Sequence, residues 1–146
     1  MKMKKVFICS PYRGDVERNV ALAKAHARFA ARCGYCPVVP HLMYPQFLKD
    51  SDPDERILGI TLGVELMTIC DEVWICVSMI SNGMAFELEH ASKLGLTVRL
   101  YSDDGSRIYP ETMMIDDHIT GAFRQAVIKA NIALERMSTM NAISQT

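Results

Sequence analysis

Between Asp71 and Leu94 the chain runs through a near-continuous apolar stretch, Glu72-Val-Trp-Ile-Cys-Val77, then a glycine-containing loop at Ser81-Asn-Gly83, then a segment of helical period. A strand that is apolar on both faces must be covered on both faces, so this stretch alone restricts the fold to a sheet held between helices.

The rest of the chain repeats the same unit. Lys5 to Cys9 is a short apolar strand that stops in the loop Ser10-Pro-Tyr-Arg-Gly-Asp15. A helix follows whose small residues Val16, Val20, Ala23, Ala27, Ala30 and Ala31 share one face, with Gly34 as its left-handed stop. Pro37-Val-Val-Pro40 is a second strand bracketed by prolines, and His41 to Gln46 leaves it as a loop. Asp52-Pro-Asp-Glu55 supplies an N-cap, a proline at the first helical position and a capping-box Glu, opening a helix to about Cys70. Leu96 to Tyr101 is a fourth strand; a further helix is expected over about 117–137, before a polar tail. Strands alternating with helices through right-handed crossovers predict an α/β fold, a doubly wound parallel sheet in three αβα layers of flavodoxin or Rossmann type.

A chain of 146 residues, about half of them apolar, forms one domain over 1–146 with a full core. The net charge of −1, with Lys and Arg dispersed, leaves no basic stripe for nucleic acid. The apolar run after Met1-Lys-Met-Lys-Lys5 is too short for an export signal, so a cytoplasmic protein without a membrane role is expected. Five cysteines, Cys9, Cys33, Cys36, Cys70 and Cys76, are an odd set in mostly apolar contexts, which fits reduced thiols. Cys33-Gly-Tyr-Cys36 lies where a helix ends and a strand begins, the reverse of the context that lowers a thiol pKa, and no metal or cofactor is expected.

One residue breaks the helical pattern. On a wheel, Met84, Leu88, Ala91, Leu94 and Gly95 form an apolar arc and Glu87 falls inside it, while Glu89, His90 and Lys93 make the solvated face. A carboxylate among apolar side chains costs several kcal/mol unless compensated, so Glu87 marks a site near the positive end of the helix, or else a boundary Glu whose head group reaches water. Ligands in such sheets bind beyond the carboxyl ends of the strands, where the strand order reverses. The loops at that edge carry Tyr12, Arg13, His41, Tyr44, Gln46, Ser81 and Asn82. Neither Gly-x-Gly-x-x-Gly nor a Walker lysine is present, so a dinucleotide site of the usual type and a P-loop are both unsupported.

The ordered set Ile8-Cys-Ser-Pro-Tyr-Arg-Gly14, Arg18-Asn19, Gly34-Tyr-x-Pro37, Pro40-His-Leu, Cys70-Asp-Glu-Val-Trp74 and Ser81-x-Gly-Met-x-x-Glu87 resembles the nucleoside 2-deoxyribosyltransferase-like superfamily, in its small bacterial and phage branch. The likeness spans about residues 5–101. It implies a flavodoxin-like fold that cleaves the N-glycosidic bond of a nucleoside or nucleotide, with Glu87 as nucleophile. Asp71 corresponds to the family's strand-head Asp, a position that a helix-stop or capping role fits as well. Tyr12 would orient Glu87. Ser10, Arg13 and Gly14 of the first loop, His41, and Ser81, Asn82, Gly83 and Met84 at the helix start would contact the substrate, with Arg13 and His41 as cations for a phosphate. Oxocarbenium character at C1′ suits an opposing carboxylate. The resemblance further implies a homodimer or larger assembly. The alternative from another class is a module that binds a nucleotide or ribosyl signal without turning it over.

Overall fold

The structure is a computed structural model that describes residues 2–75, 79–101 and 114–115. Strand β1 (Lys5–Cys9) leads through a tight loop to helix α1 (Val16–Arg32) and strand β2 (Cys36–Val38). A short helix α2 (Pro40–Met43) and a single 3-10 turn (Tyr44–Gln46) precede helix α3 (Pro53–Met67). Strands β3 (Glu72–Ile75) and β4 (Met79–Ile80), helix α4 (Asn82–Lys93), and strands β5 (Thr97–Leu100) and β6 (Met114–Ile115) complete the described elements.

Four strands form a parallel sheet in the order β2-β1-β3-β5, with Phe7 level with Val38 on one side and Val73 on the other. The chain moves outward from β1 to β2 and then back across to β3, so the order reverses between β1 and β3 and leaves a crevice beyond their carboxyl ends. Strands β4 and β6 pair separately in a two-stranded parallel sheet.

Alternation along the central strands divides the core into two layers. Val6, Ile8 and Trp74 point to the face covered by Phe29 and Ala30 of α1, with Tyr35 and Tyr101 at its margin. Phe7, Cys9, Val73 and Ile75 point the other way, against Met67 of α3 and Met84, Ala85, Leu88 and Ala91 of α4. Helices on both faces make the three-layer α/β arrangement expected from the sequence.

The helix ends follow their local chemistry. Asp15 caps α1 by accepting from the Arg18 amide, Asp52 caps α3 by accepting from the Asp54 and Glu55 amides, and Ser81 caps α4 by accepting from the Met84 amide. Gly34, at φ +88°, closes α1 as the Tyr35 amide donates back to the Ala30 carbonyl at 3.1 Å.

Several details depart from the sequence reading. The second strand runs over Cys36–Val38 instead of to Pro40, and His41–Gln46 is helical, because Pro40 serves as the first residue of a helix. Helix α3 stops at Met67, three residues early, and Leu94 is exposed at the C-cap of α4. On α1 the buried stripe is Ala23, His26 and Ala30, and Val16 and Ala31 face solvent. The expected helix over about 117–137, the tail after it and Cys76 lie outside the described residues.

Candidate active site

A cleft of about 360 Å³ opens beyond the carboxyl ends of β1 and β3. Its floor and walls come from the β1–α1 loop, α2, one face of α3 and the first turns of α4. Asn19 fixes the first of these, its side-chain amide donating to the Tyr12 and Arg13 carbonyls at 3.1 and 3.0 Å.

Of the residues singled out in sequence, Ser10, Tyr12, Arg13, His41, Tyr44, Ser81, Gly83, Met84 and Glu87 line this cleft, and Gln46 does not. Gly14 does not; its φ of +97° makes the turn into the cap of α1. Asn82 starts α4, and its side chain lies outside the described residues. Asp71 stands at the amino end of the sheet, where its Oδ2 accepts from the Lys5 amide at 2.8 Å and its own amide donates to the Lys5 carbonyl. The strand-head position thus carries Asp71 away from the cleft, and its carboxylate ties the start of β1 to the residue before β3 instead of capping a helix.

Glu87 sits one turn into α4, with its side chain 13% exposed and its Oε2 fully buried without a hydrogen-bond partner among the described residues. Burial pushes its carboxyl up to about 8, a rise that a hydrogen bond from the Cys9 thiol moderates. The contrast with Glu72 is instructive. That carboxylate is also buried, yet it accepts from the Trp74 indole at 3.0 Å and the Arg99 guanidinium at 2.7 Å and lies 3.6 Å from the Lys4 ammonium. Burial raises its pKa most strongly, but these partners together outweigh burial and hold it below the ordinary carboxylate range. A buried carboxylate with a structural task is fully partnered; the one in the cleft is not.

His41 Nε2 lies 3.7 Å from Glu87 Oε1. Burial lowers the His41 pKa, against a hydrogen bond to the Ser10 backbone and the charge of Asp50. Burial thus favours the neutral form of both groups, and α2 sets the His41 imidazole beside the Glu87 carboxyl. Tyr12 stacks on the His41 ring at 5.5 Å between centroids and 21° between planes. It packs on the imidazole that α2 brings beside the Glu87 carboxyl. Ser10 is buried, and its Oγ likewise has no hydrogen-bond partner among the described residues.

The charged side of the cleft holds residues that the sequence reading did not single out. Arg13 Nε donates to Asp50 Oδ2 at 2.8 Å, and Arg56, from the first turns of α3, places its Nε 3.8 Å from the other Asp50 oxygen. Two guanidinium groups thus flank one carboxylate at the cleft lining.

Three of the thiols lie away from Glu87. Cys33 and Cys36 are exposed, and burial with the charge of Asp71 pushes Cys70 up to about 11, away from reactive thiolate character. Among the described residues no group of three His, Cys, Asp or Glu side chains is placed to hold a metal ion. No described helix is long and apolar enough to cross a membrane.

Residues 4–101 match the family described as Domain of unknown function (DUF7768). The chain belongs to that family. Among curated proteins none matches it in sequence. Among solved structures, the 2-deoxyribosyltransferase of Bacillus psychrosaccharolyticus is similar with a TM-score of 0.57 at 16% identity, over 75% of this chain and 82% of that one. A 2-desoxiribosyltransferase from Leishmania mexicana is similar with a TM-score of 0.50 at 17% identity, over 68% of this chain and 64% of that one, just under two thirds of its length. At such identities the likeness is one of fold, and it agrees with the parallel α/β sheet described above.

Proposed function

We propose that this member of the DUF7768 family cleaves the N-glycosidic bond of a nucleoside or nucleotide, with Glu87 as the nucleophile in a retaining reaction. The observation that carries this is the orphaned, buried Oε2 of Glu87 in the cleft at the strand-order reversal. Keeping a buried carboxyl oxygen there without a hydrogen-bond partner costs stability, a cost that makes sense where a ligand or a developing charge completes it. Additional support comes from the fold shared with two 2-deoxyribosyltransferases.

In this scheme the sugar lies over Glu87, whose carboxylate attacks C1′ as the base departs, and the glycosyl ester is then resolved by water or by a second base. Ser10 Oγ offers a hydrogen bond to a sugar hydroxyl. Met84 and Pro40 supply apolar walls, and Gly83 at the start of α4 would bring the helix N-terminus to the substrate beside the Ser81 cap. Arg13, joined by Arg56, serves a 5′-phosphate that would take the place of the Asp50 carboxylate. No cofactor is needed. A homodimer or larger assembly belongs to the same proposal.

One observation favours the alternative of a binding module: with Asp71 at the far end of the sheet, the cleft lacks a second catalytic carboxylate from the strand head. The test is incubation with ribo- and deoxynucleosides, their monophosphates and NAD-type dinucleotides, with free base read by chromatography beside thermal shifts. Free base supports the enzyme. A shift without product supports the binder.

A further inference from the structure

Glu87 Oε2 is buried in the cleft with no hydrogen-bond partner among the described residues, and burial pushes the carboxyl up to about 8, toward its protonated form, yet the group that attacks C1′ must be a carboxylate. Something has to receive its proton. The neighbours of the carboxyl are Cys9 beneath it on β1 and His41 on α2. Cys9 carries a thiol hydrogen, shared with the Met84 carbonyl at 3.8 Å, and therefore acts as a donor. His41 is the neighbour with a lone pair to offer.

We propose that His41 Nε2 takes the proton of Glu87 and so makes the nucleophile within the cleft; this rests on Glu87 being the nucleophile. The geometry fits this task and excludes a neighbouring one. The separation of 3.7 Å is shorter than the ~5–5.5 Å between the catalytic groups that flank a sugar in retaining glycosidases. No sugar ring fits between the two residues, so His41 works on the nucleophile's side of the sugar and does not protonate the leaving base.

The ring is held for acceptance. A neutral imidazole has one N–H; the Ser10 backbone, whose interaction favours the protonated ring, suits that N–H on Nδ1, which leaves Nε2 as the acceptor toward Glu87. Tyr12 stacks on one face of the ring, and the Asp50 charge favours the imidazolium once formed, tempered by Arg13 and Arg56 on that same carboxylate. The proton balance closes over a cycle of hydrolysis. The O–H bond of Glu87 breaks as an N–H bond forms at His41, and the carboxylate bonds to C1′ while the base leaves with the glycosidic electron pair. The base takes a proton from water, the resulting hydroxide cleaves the glycosyl ester, and Glu87 recovers its proton from His41.

The experiment measures kcat/KM for base release by the full chain, as wild type, His41→Gln and Glu87→Gln, from pH about 6 to about 9.5. His41→Gln is expected to fall at least about tenfold at the acid end and to return to within about threefold of wild type at the alkaline end, where solvent ionises Glu87 unaided. An equal loss at every pH, or no loss at any, would overturn the proposal. Wild type that releases no base, or Glu87→Gln as active as wild type, would instead remove the nucleophile and this inference with it. A second measurement holds even if His41→Gln does not fold: titration of the His41 imidazole by NMR in wild type and Glu87→Gln. In wild type the His41 resonances are expected to shift a second time as Glu87 ionises at alkaline pH, a step absent from Glu87→Gln, and identical titrations would contradict a shared proton.

Discussion

The Arg13 guanidinium is held by the Asp50 carboxylate at 2.8 Å, and the same carboxylate leans toward Arg56 at 3.8 Å. Asp50 thus occupies the position that a ligand anion between two arginines would take. Asp50→Asn is expected to tighten binding of inorganic phosphate and of nucleoside monophosphates by roughly three- to tenfold while leaving unphosphorylated nucleosides unaffected. Calorimetric titration measures both. Unchanged or weaker anion binding would mean that these arginines serve the loop alone.

The raised pKa of Glu87 has a signature in stability. Between its ordinary value of 4.5 and about 8 the native chain keeps a proton that the unfolded chain has released. Stability therefore falls as pH rises through that window, by up to about 1.4 kcal/mol for each unit of displacement. Glu87→Gln lacks this titration. Its melting temperature should match wild type near pH about 5 and exceed it increasingly toward pH about 8.5. Parallel melting curves for the two proteins across that range would show that the carboxyl is not desolvated.

Much of this was legible in the sequence, for a physical reason. Strand and helix periods are local, so the alternating order emerges from residues a few positions apart. Glu87 is visible because an ionisable residue interrupts an apolar arc. The partners that give each charge its meaning are not local. Glu72 hides in an apolar run, and beside its own strand's Trp74 its partners Lys4 and Arg99 are brought in from elsewhere in the sheet. Arg56 reads as an ordinary helix charge until α3 sets it across Asp50 from Arg13. The contact of His41 with Glu87 depends on the α2 turn, and Pro40 reads equally well as the end of a strand.

Asp71 separates a structural from a catalytic carboxylate. Its hydrogen bond to the Lys5 amide ties β1 to the start of β3. Asp71→Ala should cost about 1 kcal/mol in denaturant unfolding and leave base release within about twofold of wild type. A folded Asp71→Ala protein without activity would return this residue to the catalytic machinery.

Helix α3 turns Ile57, Leu58 and Ile60 to solvent, with Phe47 63% exposed in the segment before it. Apolar surface of this kind favours self-association. Sedimentation at micromolar concentration should show a dimer or larger species, and Ile57→Glu should shift it toward monomer. Wild type that remains monomeric would contradict the proposed assembly.

Glu87 and Glu89 share one helix and differ in face. Glu87 is enclosed in the cleft, whereas Glu89 pairs with Lys93 at 3.7 Å on the solvated side. The central claim is tested by base release from the two Gln variants under identical conditions, with thermal unfolding as the control for fold. Glu87→Gln keeps the shape but removes the charge that answers the developing positive sugar, so turnover should drop by about a thousandfold or more with the fold intact, while Glu89→Gln stays near wild type. Equal activities of the two variants would contradict Glu87 as the nucleophile.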